Sequence, residues 1–151
     1  MGLELEADFH LGAALGEKLD NIHSVLNKHE PRPTYLRIPR AMPGATGQNI
    51  LNFGKPPANK IWNILALAAF GTDDHTTVAG SNIALYGGDP DNVSLPALIY
   101  TGFTLPGTTT FSKDVLWAYP SEFVFANVTL TGAANIGAIL TVAEWNIKDK
   151  W

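Results

Sequence analysis

Residues 122–145 read EFVFANVTLTGAANIGAILTVAEW, two runs of apolar, aromatic and β-branched side chains joined by the turn sequence TGAAN. Side chains of this kind suit the pleated, half-buried surface of a strand. The second run is apolar at both parities: Ile136, Ala138, Leu140 and Val142 at one, Ile139, Ala143 and Trp145 at the other. A strand of that composition is covered on both faces. In a single sandwich of this size the second cover comes from another subunit, the alternative being central burial within one subunit.

The same period of two extends back to residue 61. IWNILALAAF (Ile61–Phe70), SNIALYGG (Ser81–Gly88), ALIYTGF (Ala97–Phe103) and DVLWAYP (Asp114–Pro120) precede the two runs already quoted, separated by GTDD, GGDPDN, PGTTT and YPSE. Short strands at this spacing, divided by turn residues, predict a mainly β domain over 61–151, an antiparallel β-sandwich or jelly roll. With 151 residues the chain can bury one sizeable core.

Ahead of that domain two different textures follow one another. Leu11, Leu15, Leu19, Ile22 and Leu26 recur at spacings of four, four, three and four, which places them on one stripe of a helix within residues 1–30. The last four also fit a short coiled-coil seam. A helix of this length is marginal alone, so the stripe needs a partner, either the chain's own β domain or another protein. Residues 31–60 then carry Pro31, Pro33, Pro39, Pro43, Pro56 and Pro57 among Gly44, Gly47 and Gly54. Prolines fix φ and push the residue before them toward extended conformations, so this stretch reads as neither helix nor central strand. Tyr35, Leu36, Ile38, Ile50, Leu51 and Phe53 are too apolar to leave solvated, and an extended, docked arm is expected.

Charge divides along the same line. The stretch 31–60 holds Arg32, Arg37, Arg40, Lys55 and Lys60 and no acid, whereas 61–151 holds three lysines against eight carboxylates. The arm either uses its charge for solubility or lies on an acidic protein surface. Nucleic acid is disfavoured as a partner, because the cations are dispersed and no basic helix or stacking motif accompanies them. Only 16% of residues are charged, below the roughly 25% of ordinary soluble domains, which suggests a partly covered surface. No run is long and apolar enough for a membrane span, and residues 1–6 are acidic where a signal peptide would be basic. Without cysteine there is neither a disulfide framework nor a thiolate metal site, so stability rests on packing and oligomerisation.

Candidate chemistry is sparse. Asp73, Asp74 and His75 lie together in a turn, where such residues bond the local backbone more often than they bind metal. His10, His23 and His29 lack ligand spacing, and Asp89 and Asp91 lack the remainder of a calcium loop. Asn92 and Asn127 stand in glycosylation patterns, which carry weight only in a secreted chain. No nucleotide-binding or hydrolase motif occurs. Neither a catalytic residue nor a cofactor is expected, and the chain reads as non-enzymatic. Trp62, Trp117 and Trp145 are expected in the core or at a subunit interface; Trp117 and Tyr119 would serve the competing reading of a carbohydrate-binding module.

One long stretch carries a more specific pattern. Residues 52–64, NFGKPPANKIWNI, lead into LYGGDP (Leu85–Pro90), LPALIYTGFTLPG (Leu95–Gly107), FSKDVLW (Phe111–Trp117) and PSEFVFANVTLTG (Pro120–Gly132). Between Phe53 and Trp145 this order of a tryptophan strand, a tyrosine-glycine strand and a strand ending in a Thr-Gly turn resembles small virion proteins of tailed bacteriophages. The resemblance implies a structural role, capsid decoration or stabilisation, on a particle assembled in the host cytoplasm; a neck, tail or fibre position is the alternative. It implies a homo-oligomer, a trimer by preference, bound to the major capsid protein or another virion protein. Leu15, Leu19, Ile22 and Leu26 of the helix, with Arg32, Tyr35, Arg37 and Arg40 of the arm, would then form the attachment surface.

Overall fold

The computed structural model describes residues 15–22, 31–72, 81–89 and 97–150. The chain divides into two units, Met1–Arg32 and Pro33–Trp151. In the first, residues 15–22 are helical, inside the helix expected from the leucine spacing. Leu11, Leu26, the three N-terminal histidines and the Asp73–Asp74–His75 turn lie outside the described residues.

The second unit is the expected β-sandwich. Its strands are β1 (Thr34–Gly44), β2 (Gly47–Gly54), β3 (Lys60–Gly71), β4 (Asn82–Gly88), β5 (Ala97–Phe103), β6 (Gly107–Thr110), β7 (Trp117–Ala118), β8 (Phe123–Leu130) and β9 (Ala134–Asn146). One sheet runs β1-β9-β3-β6, with β7 also on β3; the other runs β2-β8-β4-β5. All described pairings are antiparallel. Alternate side chains of both sheets meet in one core: Trp62, Ile64, Leu67, Leu140 and Val142 from the first, Leu51, Phe53, Leu85, Val124 and Val128 from the second. Burying aliphatic side chains of this size contributes about 1.5–3 kcal/mol each, which is what holds the layers together.

The proline-rich stretch is corrected in one respect. Residues 34–54 are extended and docked, but their dock is the chain's own sandwich, which therefore begins at Thr34 and not at residue 61. β1 pairs with β9 over its whole length, from Thr34 opposite Glu144 to Gly44 opposite Ala134, and β2 pairs with β8. Both are edge strands. That position is compatible with Pro39 and Pro43, because a proline lacking an N–H is tolerated at a sheet edge. The arm's apolar residues take part in the fold: Leu51 and Phe53 enter the core, and Leu36, Ile38 and Met42 pack against it.

Two further expectations change. The PGTTT stretch, read as a turn, contributes β6, whose Thr108, Thr109 and Thr110 pair with Ala68, Leu67 and Ala66. DVLWAYP, read as a strand, is strand only at Trp117 and Ala118, which pair with Asn63 and Trp62 after a turn at Asp114 and Val115. On β3 the register with β9 shifts between Ile64 and Ala66. This bulge reverses the parity of the strand, so even positions (Trp62, Ile64) face the core before it and odd positions (Leu67, Ala69) after it. The second face of β9 is covered in part by the chain itself: Ala143 is buried and Trp145 half-buried, while a Cβ on Gly137 would stand 2.8 Å from the Phe70 ring.

Gly44 closes β1 against β9 under tighter constraint. A Cβ there would lie 2.5 Å from both the Ala134 carbonyl oxygen and Leu130 Cδ1. Gly44→Ala is accordingly expected to displace the β1 end and cost about 1–3 kcal/mol in urea denaturation.

Candidate functional site

Each tryptophan named from the sequence takes a different position. Trp62 is 5% exposed, and its indole N–H donates to Glu144 Oε2 at 2.9 Å. It is a core residue with a polar handle on the neighbouring strand. Trp117 and Trp145 instead flank β3, as register partners of Asn63 and Ile61. They are joined by a residue that the sequence did not single out. Lys150 extends from a short helical turn, Ile147–Lys150. Its ammonium lies 4.6 Å from the centre of the Trp145 ring and 5.2 Å from that of Trp117. Asp114 Oδ1 completes the surround at 3.2 Å. Two ring faces and a carboxylate around one ammonium form a cation clamp.

Asn63 fixes the loop that brings Asp114 and Trp117 there. It is fully buried; its amide nitrogen donates to the Leu116 carbonyl at 3.0 Å, and its amide oxygen accepts from the Asp114 N–H at 3.1 Å. Asp114 has a φ of 63°, a left-handed conformation that aspartate tolerates better than most residues. Trp117 Nε1 then donates to the Asp114 carbonyl at 3.2 Å.

Beside the clamp, Lys60 and Asn146 face one another as register partners at the ends of β3 and β9. Lys60 Nζ donates to Asn146 Oδ1 at 2.6 Å, and Asn146 Nδ2 donates to Asp149 Oδ2 at 2.8 Å. An open cleft of about 430 Å³ adjoins them, lined by Asn59, Asn146, Ile147 and Lys148. Nothing in the sequence marked this triad, because its members are adjacent only through the β3–β9 register and the final turn.

The expected attachment residues separate into engaged and exposed groups. Arg40 donates through Nε to the Asn52 carbonyl at 2.7 Å, through a terminal nitrogen to the Phe53 carbonyl at 3.4 Å, and to the Pro39 carbonyl at 2.7 Å. It ties the β1 edge to the β2 edge and caps carbonyls of β2. Lys55 lies 5.0 Å over the Phe123 ring. Arg32 and Arg37 are exposed, as is Tyr35 at 66%. On the helix, Leu15, Leu19 and Ile22 are 54%, 66% and 55% exposed. Asn127 of the second glycosylation pattern is buried in the middle of β8, a position closed to a glycan. Among the described residues no cluster of three or more His, Cys, Asp or Glu could hold a metal, and no described helix is long and apolar enough to cross a membrane.

No protein-family model and no curated protein matches the chain. Among solved structures it is similar to PirA, with a TM-score of 0.43 and 8% identity over 70% of this chain and 93% of that one. It is similar to the same degree to a protein from work on Bacillus endospore appendages that form disulfide-linked pili, with a TM-score of 0.43 and 11% identity over 77% and 89% of the two chains.

Proposed function

We propose that this chain is a non-enzymatic structural protein of a bacteriophage virion that decorates and stabilises the capsid surface, binding the major capsid protein as a homotrimer. The observation that carries the assembly role is the helical stripe: Leu15, Leu19 and Ile22 sit one turn apart, each more than half exposed. Apolar side chains aligned in this way gain most from burial against identical helices in a closed symmetric assembly. The capsid as destination is supported by the sequence pattern between Phe53 and Trp145 and by the low charge content of the chain.

Attachment to the shell falls to the exposed cations. Because Arg40 is spent on its own backbone, Arg32 and Arg37 remain to meet an acidic surface. Replacing both with serine is expected to weaken binding to purified shells, and added salt should weaken the wild type in parallel. Each exposed pair contributes about 0.2–1 kcal/mol. Binding indifferent to both changes would move attachment to Tyr35 and its apolar neighbours. Copy number tests the location directly: densitometry of purified particles should give a number commensurate with the shell's subunits. The few copies of a neck, tail or fibre component would overturn the decoration role.

A further inference from the structure

We propose that Lys60 and Asn146 are a self-crosslinking pair, in which the lysine amine and the asparagine carboxamide condense to an isopeptide bond with Asp149 transferring the proton. Three groups with complementary chemistry are already joined by two hydrogen bonds that meet at Asn146. The nucleophile, Lys60 Nζ, donates to the Asn146 amide oxygen at 2.6 Å, one bond away from the carbonyl carbon it would attack. The departing nitrogen, Asn146 Nδ2, lies 2.8 Å from the Asp149 carboxylate. Directly opposite residues on antiparallel strands hold their Cβ atoms about 4.5–5.5 Å apart, a span a lysine side chain covers easily. Contact of this kind replaces a bimolecular encounter and is the main source of acceleration for amide exchange between otherwise inert groups.

The step balances without any added reagent. Lys60 enters as the ammonium and gives one proton to Asp149 by way of solvent at the open cleft, and its Nζ forms a bond to Asn146 Cγ. Asp149 returns that proton to Nδ2 as the Cγ–Nδ2 bond breaks, and the second proton left on Nζ passes to the departing ammonia. One ammonium and one carboxamide become one secondary amide and one ammonium ion, and Asp149 ends as it began. The open cleft along Asn146 gives the ammonia a way out. The cation clamp acquires a use here, since Lys150, next in sequence to Asp149, is held by Trp117, Trp145 and Asp114. In a chain without cysteine the product would supply a covalent staple between the two central strands of the first sheet.

Intact-mass spectrometry of the folded full chain, followed by proteolysis and peptide mapping, tests this. The wild type is expected to weigh one ammonia less than its sequence and to yield a branched peptide joining Lys60 to Asn146. Lys60→Arg and Asn146→Ala should keep their full mass and melt at lower temperature than the wild type, with circular dichroism showing that each has folded. Asp149→Asn should slow conversion about a hundredfold or more. A folded wild type that keeps its full mass on prolonged incubation overturns the proposal. So does ammonia loss that persists in Lys60→Arg, because that assigns it to cyclisation of Asn146 onto its own backbone. Unchanged conversion in Asp149→Asn overturns the role of Asp149.

Discussion

Trp62→Ala is expected to remove about 3–5 kcal/mol of folding stability, the usual cost of truncating a large aromatic in a core. The indole is 5% exposed and sits where β3 is paired on both sides, with Glu144 of β9 and Ala118 of β7 as its register partners. Its removal empties a volume that two neighbouring strands help to enclose, and it leaves Glu144 Oε2 without the N–H it now accepts. Trp62→Phe separates the two effects, retaining most of the volume while losing the hydrogen bond, and should cost about 1–3 kcal/mol. Against a total stability of roughly 5–15 kcal/mol for a domain, the alanine variant should be mostly unfolded at temperatures the wild type survives. Thermal and urea melts measure both. If Trp62→Ala melted like the wild type, Trp62 would have to lie outside the core, as a sugar-stacking ring would.

The second large effect concerns assembly and not folding. Serine at Leu15, Leu19 and Ile22 together should reduce the proposed trimer to monomers in light scattering at micromolar concentration. Each buried aliphatic side chain contributes about 1.5–3 kcal/mol. Three of them per helix therefore amount to about 4.5–9 kcal/mol, or about three to six powers of ten in affinity. The melting behaviour of the sandwich should change little, because Pro33–Trp151 is a compact unit of its own. A variant that keeps the wild-type mass would assign trimerisation to the sandwich. A monomeric wild type would end the trimer reading altogether.

The strands most legible in the sequence were those densest in apolar and β-branched residues and most deeply buried. Val124, Ala126, Val128 and Leu130 of β8, and Ile136, Ala138, Leu140 and Val142 of β9, all belong to the core, the β9 set being one of the two apolar parities that its spacing showed. What stayed hidden had a physical cause in each case. β1 carries Pro39 and Pro43, and prolines argue against a strand unless its edge position is known, which only the β9 pairing reveals. β6 is a run of threonines between a proline-glycine turn and Phe111, where β propensity and turn propensity coincide. On β3 the bulge at Leu65 changes which parity is buried, and no residue type announces it. The Lys150 clamp and the Lys60–Asn146–Asp149 triad depend on register and on one final turn, so composition could not have suggested them. The apolar character of the helical stripe was evident, whereas Arg40 looked like its neighbours Arg32 and Arg37 until its hydrogen bonds to β2 distinguished it.

The pairing order has a kinetic consequence. Among the described residues β1 forms its sheet ladder with β9 and β2 with β8, so Thr34 waits for Glu144 and Gly47 for Leu130. β3 and β4 also find their long-range partners in β9 and β8. A nascent chain that has emerged only as far as β7 can form short local ribbons but neither complete sheet. Closing loops of this length before any long-range contact forms is slow, which places folding in the millisecond-to-second range typical of β-sandwiches. Until β8 and β9 arrive, the edges of β1 and β2 and their apolar faces remain available to other chains, which is the period of greatest aggregation hazard. The same order serves as a check on synthesis: a copy truncated before β8 lacks the strand around which each sheet is built and has no sandwich to offer.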